Sequence, residues 1–243
     1  MILKNVDDKS EIINNLKKLL NHPKIYPSKK KQIDFEIYKI KKGWENEKNA
    51  AYYMSTYWKD SEKIVILNDL RLKIDEDVVQ IDHLFLHKAF ICIFESKFFS
   101  STLYFNQKNN TFSIKTKNGY KGIPNPIKQA ERQVFNLKRI LEKLNLSKFL
   151  PKTYDYYVLV SPNTHLKNNM PEKLIKADMV RQKLLERADN IGMLQGLVSL
   201  KDYIKTDVNT LVFVAEELKK LHNPLKFEDY LKSLKLEWLI KTH

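Results

Sequence analysis

Residues 80–99, QIDHLFLHKAFICIFESKFF, form the most hydrophobic stretch of the chain, yet they carry Asp82, Glu95 and Lys97. Two apolar runs flank a short break at Lys88-Ala89, and their length and aromatic content predict paired strands over 78–87 and 90–97. Side chains alternate along a strand, so Glu95 and Lys97 share a face with Ile91 and Ile93, with Cα atoms about 7 Å apart. A fold-back at the break brings Asp82 toward Glu95 if the register is suitable. A solvated strand face would alternate cleanly between polar and apolar residues, and VVQID and FICIFESK do not.

The surrounding chain supplies the other layers. SEIINNLKKLLN (10–21) places Ile12, Ile13, Leu16, Leu19 and Leu20 at helical spacing behind Ser10, a candidate N-cap. HPKIYPSKKK then interrupts it with two prolines and a basic triplet, which predicts a loop or linker and makes the first helix an appendage. QIDFEIYKIKK fits strand or helix equally. GWENEKNAAYYMSTYW reads as a helix with Glu47 on its apolar side, KIVILND as a short buried strand, and STLYFNQKNNTFSIKTKNG as a hairpin turning at Asn109-Asn110. An amphipathic helix follows from about Ile127 to Leu144, then a strand in YDYYVLVSP. ADMVRQKLLERA, DVNTLVFVAEELKKLH and FEDYLKSLKLEWLI make the C-terminal third helical. This order predicts an α/β fold, a mixed central β-sheet flanked by helices. The expected parts are an N-terminal helix and linker (1–42), a core (43–165) and a helical extension packed on it (166–243).

Several chemistries are excluded by what is missing. The five glycines form neither a dinucleotide fingerprint nor a P-loop, there is no nucleophile elbow, and the six histidines include no H-E-x-x-H. The single cysteine, Cys92, lies in an apolar run, which rules out disulfides within the chain and zinc clusters of several thiols. What remains is the acidic set. Carboxylates held close in partly apolar surroundings repel unless a cation neutralises them, and hard oxygen ligands favour Mg²⁺ or Mn²⁺. Such an ion beside Asp82 and Glu95, with Lys97 to hold a water or stabilise developing negative charge, suits phosphodiester hydrolysis. Gln32-Ile33-Asp34 repeats Gln80-Ile81-Asp82, but no apolar strand ending in an acid and a lysine follows Asp34, which reads as a surface carboxylate. His83 and His87, on the strand face opposite Asp82, read as packing or surface residues.

Lysine and arginine total 43 against 29 acids, a formal charge of +14, and polyanions follow as partners, nucleic acid first. Lys29, Lys30, Lys31, Lys115, Lys117 and Lys121 are candidate phosphate contacts through charge only. No window approaches a membrane span and no secretory signal is seen, so a cytoplasmic protein without membrane association is expected.

Four blocks in order, GWENEKNAAYYM, IVILNDL, VVQIDHLFLHKAFICIFESKFF and NPIKQAERQVFNLKRIL, resemble the nuclease-related domain (NERD), a branch of the PD-(D/E)XK nuclease superfamily, over residues 43–165. The resemblance implies a PD-(D/E)XK-like core. It matches Asp82 to the acid of the first strand, Glu95 and Lys97 to the E-x-K pair of the second, and Glu47 to a helix acid that assists the metal directly or through water. It also implies Asp82 and Glu95 as Mg²⁺ or Mn²⁺ ligands, together with the Ser96 carbonyl, and Gln129 as a contact to the metal-bound water or the phosphate. The expected substrate is DNA before RNA. The alternative is a nucleic-acid-binding or scaffolding protein with an inactive or partner-activated core, and the C-terminal helices are a candidate surface for a homodimer or a protein partner.

Overall fold

A computed structural model describes residues 1–195 and 206–239. In chain order the elements are β1 (Ile2–Lys4), α1 (Ser10–Leu20), α2 (Pro27–Trp58), β2 (Ile64–Ile74), β3 (Asp77–His87), β4 (Phe90–Lys97) and β5 (Leu103–Asn106). They continue with β6 (Thr111–Thr116), β7 (Gly119–Ile123), α3 (Pro126–Lys143), β8 (Tyr154–Val160), β9 (Leu166–Lys167), β10 (Leu174–Lys176), α4 (Val180–Gln195), α5 (Val208–Lys220) and α6 (Phe227–Ser233). The last residue of the predicted helical segment FEDYLKSLKLEWLI, Ile240, lies outside the described residues.

The central sheet runs β1-β2-β3-β4-β8-β10. β2, β3 and β4 form an antiparallel meander, and β1, β8 and β10 join by parallel pairing, which makes the sheet mixed. One face packs Leu84, Leu86, Ile91 and Ile93 against Leu137 and Ile140 of α3 and Leu211 and Val214 of α5. The other packs Phe85, Phe90, Cys92 and Phe94 against Ala50 and Met54 of α2 and Val180 and Leu184 of α4. Helices on both faces explain the unbroken apolar runs, because neither face of these strands meets water. Among the described residues, no helix is long and apolar enough to cross a membrane.

A second sheet, β7-β6-β5-β9, packs Leu103, Phe105 and Phe112 on Ala130 of α3 and Val158 and Val160 of β8. Asn110, with φ of 53°, takes the left-handed turn position between β5 and β6 that asparagine tolerates.

The N-terminal region departs from expectation. The basic triplet is helical, because Pro27 stands at the start of α2, where its missing N–H and fixed φ cost nothing. QIDFEIYKIKK continues the same helix, and Ile33, Ile37 and Ile40 pack on Ile13 and Leu16 of α1 and Leu231 of α6. The boundary expected at 42/43 therefore falls inside α2, α1 is held in a core of its own rather than appended, and residues 2–4 add a strand to the central sheet. The region after residue 165 contains β9 and β10 as well as helices, strands of two and three residues that are too short for a periodicity signal.

Candidate active site

Strand register lines up the acids. Asn68 pairs with His83 and Leu70 with Ile81, which sets Asp69 beside Asp82, and His83 pairs with Phe94, so the next position sets Asp82 beside Glu95. Asp69, Asp82 and Glu95 thus form a row across three neighbouring strands. The core alternation skips a beat at this row. Val65 and Leu67, then Leu70 and Leu72, enter the same cluster from β2, and Val79 and Ile81, then Leu84 and Leu86, enter it from β3. Asp69 adopts φ of 49°, a left-handed conformation more accessible to aspartate than to bulky residues, at the point of the shift.

Glu95, 2% exposed, is gripped from several sides. Its Oε1 accepts from Gln129 Nε2 at 2.7 Å and meets Lys97 Nζ at 2.6 Å, while Oε2 accepts from Gln133 Nε2 at 2.6 Å. Both glutamines come from the first turns of α3, which Asn125 caps by accepting from the N–H groups of Ile127 and Lys128. Their four-residue spacing puts them on one helix face. Asp82 Oδ2 accepts from the Ser96 N–H at 2.7 Å. Burial, reinforced by the nearby charges of Glu95 and Glu47, pushes the Asp82 carboxyl well above the usual carboxylate range. Glu47 is pushed up as well, by burial first.

A cleft of about 410 Å³ collects these groups, with Glu47, Asp82, Glu95, Ser96, Lys97 and Gln129 all on its wall. Every residue implied by the resemblance therefore reaches one cavity. Three further residues belong to the same arrangement. Lys9 Nζ lies 2.6 Å from Glu47 Oε2 and 3.2 Å from Asp69 Oδ2, and Gln133 completes the hold on Glu95. Gln133 had a signal in its spacing from Gln129. Lys9 and Asp69 had none, because only the fold brings them to the cluster. Asp34 does not line the cleft.

His83 is fully buried, with Nδ1 2.7 Å from Asn68 Oδ1 and Nε2 3.0 Å from Ser96 Oγ, so it packs behind the row. Burial pushes its pKa down to about 3. The unfolded chain takes up this proton near pH 6.5 and the folded chain only near pH 3, so stability is lost as pH falls through that window. At pH 5 the loss is about 2 kcal/mol. Urea unfolding at pH 7 and pH 5 is expected to show a larger acid loss for the wild type than for His83→Gln, by about that amount. Equal losses would contradict a buried neutral imidazole.

The donor set fits a hard divalent cation. The carboxylates of Asp82 and Glu95 and the Ser96 carbonyl would offer hard oxygen donors, and burial beside Glu95 and Glu47 makes the charged form of Asp82 costly in a way that a bound cation would offset. The fit is an open one. Among the described residues no three His, Cys, Asp or Glu side chains form a metal-holding group, whereas Mg²⁺ commonly takes one or two carboxylates and completes its shell with water.

Comparison with curated proteins and with solved structures returned no match. Comparison with family models did, to the nuclease-related domain over residues 42–161. That span opens inside α2, closes just beyond β8 and contains the strand meander with its acids and the capped start of α3. On this match residues 42–161 are a nuclease-related domain (NERD).

Proposed function

We propose that the protein is a metal-dependent nuclease that hydrolyses phosphodiester bonds of nucleic acid, with DNA as the first candidate because the PD-(D/E)XK resemblance points there. The observation that carries this reading is that Asp82 and Glu95 lie on the wall of one cleft at neighbouring sheet positions, with Lys97 in contact with Glu95 on the same wall. Asp82, Glu95 and the Ser96 carbonyl would hold Mg²⁺ or Mn²⁺. When bound, such an ion polarises a phosphoryl oxygen and makes water a better nucleophile at neutral pH. Gln129 and Gln133 fix the Glu95 carboxylate, so its orientation is set before substrate arrives. Lys97, only partly buried at the end of β4, can turn its ammonium from Glu95 to the phosphate and offset charge developing there.

Charge in and around the cleft suits a polyanion. Lys39 and Lys42 line it beside Lys97, and the second sheet exposes Lys115 and Lys121 next to Tyr120. The test is incubation of the purified protein with supercoiled, linear and single-stranded DNA and with RNA, in Mg²⁺, Mn²⁺ or EDTA. Cleavage is expected in at least one DNA substrate, with metal and not with EDTA. Binding without cleavage in every mixture would replace the nuclease reading with that of a nucleic-acid-binding protein.

A further inference from the structure

The row of acids extends past the two residues assigned to a metal. Asp69 is its third member and Glu47 stands beside it, close enough that Asp69 and Glu95 both act on Glu47 electrostatically. Four buried carboxylates therefore share one neighbourhood: Glu47, Asp69, Asp82 and Glu95. Two-metal phosphodiesterases hold their ions about 4 Å apart, whereas among the described residues no three of these side chains converge on one ion, which raises the question of what answers the remaining charge.

The structure assigns the place of a second cation to Lys9, whose ammonium bridges Glu47 and Asp69 and leaves the cleft a single divalent ion at Asp82 and Glu95. Three observations support this. Lys9 Nζ is within ion-pair distance of both carboxylates, 2.6 Å from one and 3.2 Å from the other, and its side chain is only 15% exposed. It arrives from the segment between β1 and α1, upstream of the family match, and it walls a neighbouring cavity of about 560 Å³ that shares Gln80 with the cleft. The charges also balance. With Lys39 and Lys42 set against Glu36 and Glu45, and with all four carboxylates ionised as metal binding requires, the ammonium groups of Lys9 and Lys97 leave two negative charges, which one divalent cation neutralises. Burying the four acids without Lys9 would leave three, and unpaired buried charge is strongly disfavoured.

This inference rests on the proposed metal site, and the experiment separates the two. Mn²⁺ is titrated into the protein without nucleic acid, and the electron paramagnetic resonance signal of free Mn²⁺ gives the bound stoichiometry. One ion per chain is expected for the wild type and for Lys9→Arg, and none for Asp82→Asn. Lys9→Met is expected to take a second ion. Without metal its melting temperature should fall by roughly 5 °C or more, and Mn²⁺ should restore more of that loss than it adds to the wild type. Two ions in the wild type, the second removed by Asp69→Asn, would overturn the assignment of Lys9 and leave the nuclease reading standing. The assignment fails in the same way if Lys9→Met binds one ion and its lost stability does not respond to Mn²⁺. Retention of the ion by Asp82→Asn would bring down the metal site and the inference together.

Discussion

Lys97→Ala and Asp82→Asn are each expected to lower metal-dependent cleavage at least about a hundredfold while the protein stays folded, since a single group aimed at developing charge is commonly worth that much. The two variants reach this result differently. Lys97 sits at the exit of β4 with its side chain 28% exposed and its ammonium on Glu95, so truncation removes a cation from the cleft without opening the core. Asp82→Asn keeps the shape of the side chain and an oxygen that accepts from the Ser96 N–H. It also removes a buried charge that faces Glu95 and Glu47. Its thermal stability without metal should therefore equal or exceed that of the wild type. A residue that served only the fold would lose stability and activity together. The measurement is cleavage rate beside a melting curve for each protein, and wild-type rates in both variants would show that the cleft is not the site of chemistry.

Phe85→Ala is expected to cost about 4 kcal/mol of stability. Phe85 is 1% exposed and stands at the centre of an aromatic group. Its ring lies 5.2 Å from that of Trp58 in α2, 6.0 Å from Phe90 and 6.4 Å from Phe94 in β4. Removing it leaves a cavity between a stiff sheet and a long helix, neither of which can readily move in to fill it. The same contacts join the helix that carries Glu47 to the strands that carry Asp82 and Glu95, so the lesion should loosen the cleft as well. Guanidinium unfolding with an unchanged denaturant slope gives the value. A loss below about 1 kcal/mol would mean that the layers close over the gap after all.

The sequence was most readable where local signals and tertiary demand agree. β3 and β4 lie within a residue of the predicted strands, because runs covered on both faces have no competing helical period and the break at Lys88-Ala89 is short. α3 begins at Asn125-Pro126, a cap followed by a residue suited to the first turn. At α2 the same residue type points the wrong way. Two prolines suggested a loop, but the second is a helix start, and the apolar spacing that decides between strand and helix in QIDFEIYKIKK is satisfied only once α1 and α6 are in place. The cleft was legible as a set of acids with a lysine. Its counter-charge was not, because Lys9 is one of many lysines in a basic chain and only topology distinguishes it. The phase shift at Asn68-Asp69 and Asp82-His83 was equally hidden. In sequence it looks like imperfect alternation, and in space it is what crowds polar residues onto a single rung.

The unbroken helix α2 bears on how this domain can be handed from one protein to another. At 1.5 Å per residue it is a rod of about 48 Å, and the family match begins near its middle. Its first half is clasped by α1 and α6, while its second half lies under the sheet and presents Glu47. The segment that matches the family is therefore smaller than the segment packed around it in this chain. A graft cut at residue 42 would begin midway along a helix and leave behind both the clasp and Lys9. In this chain the matched module and the packed module have different edges, and the counter-charge proposed for Lys9 lies only in the larger of the two.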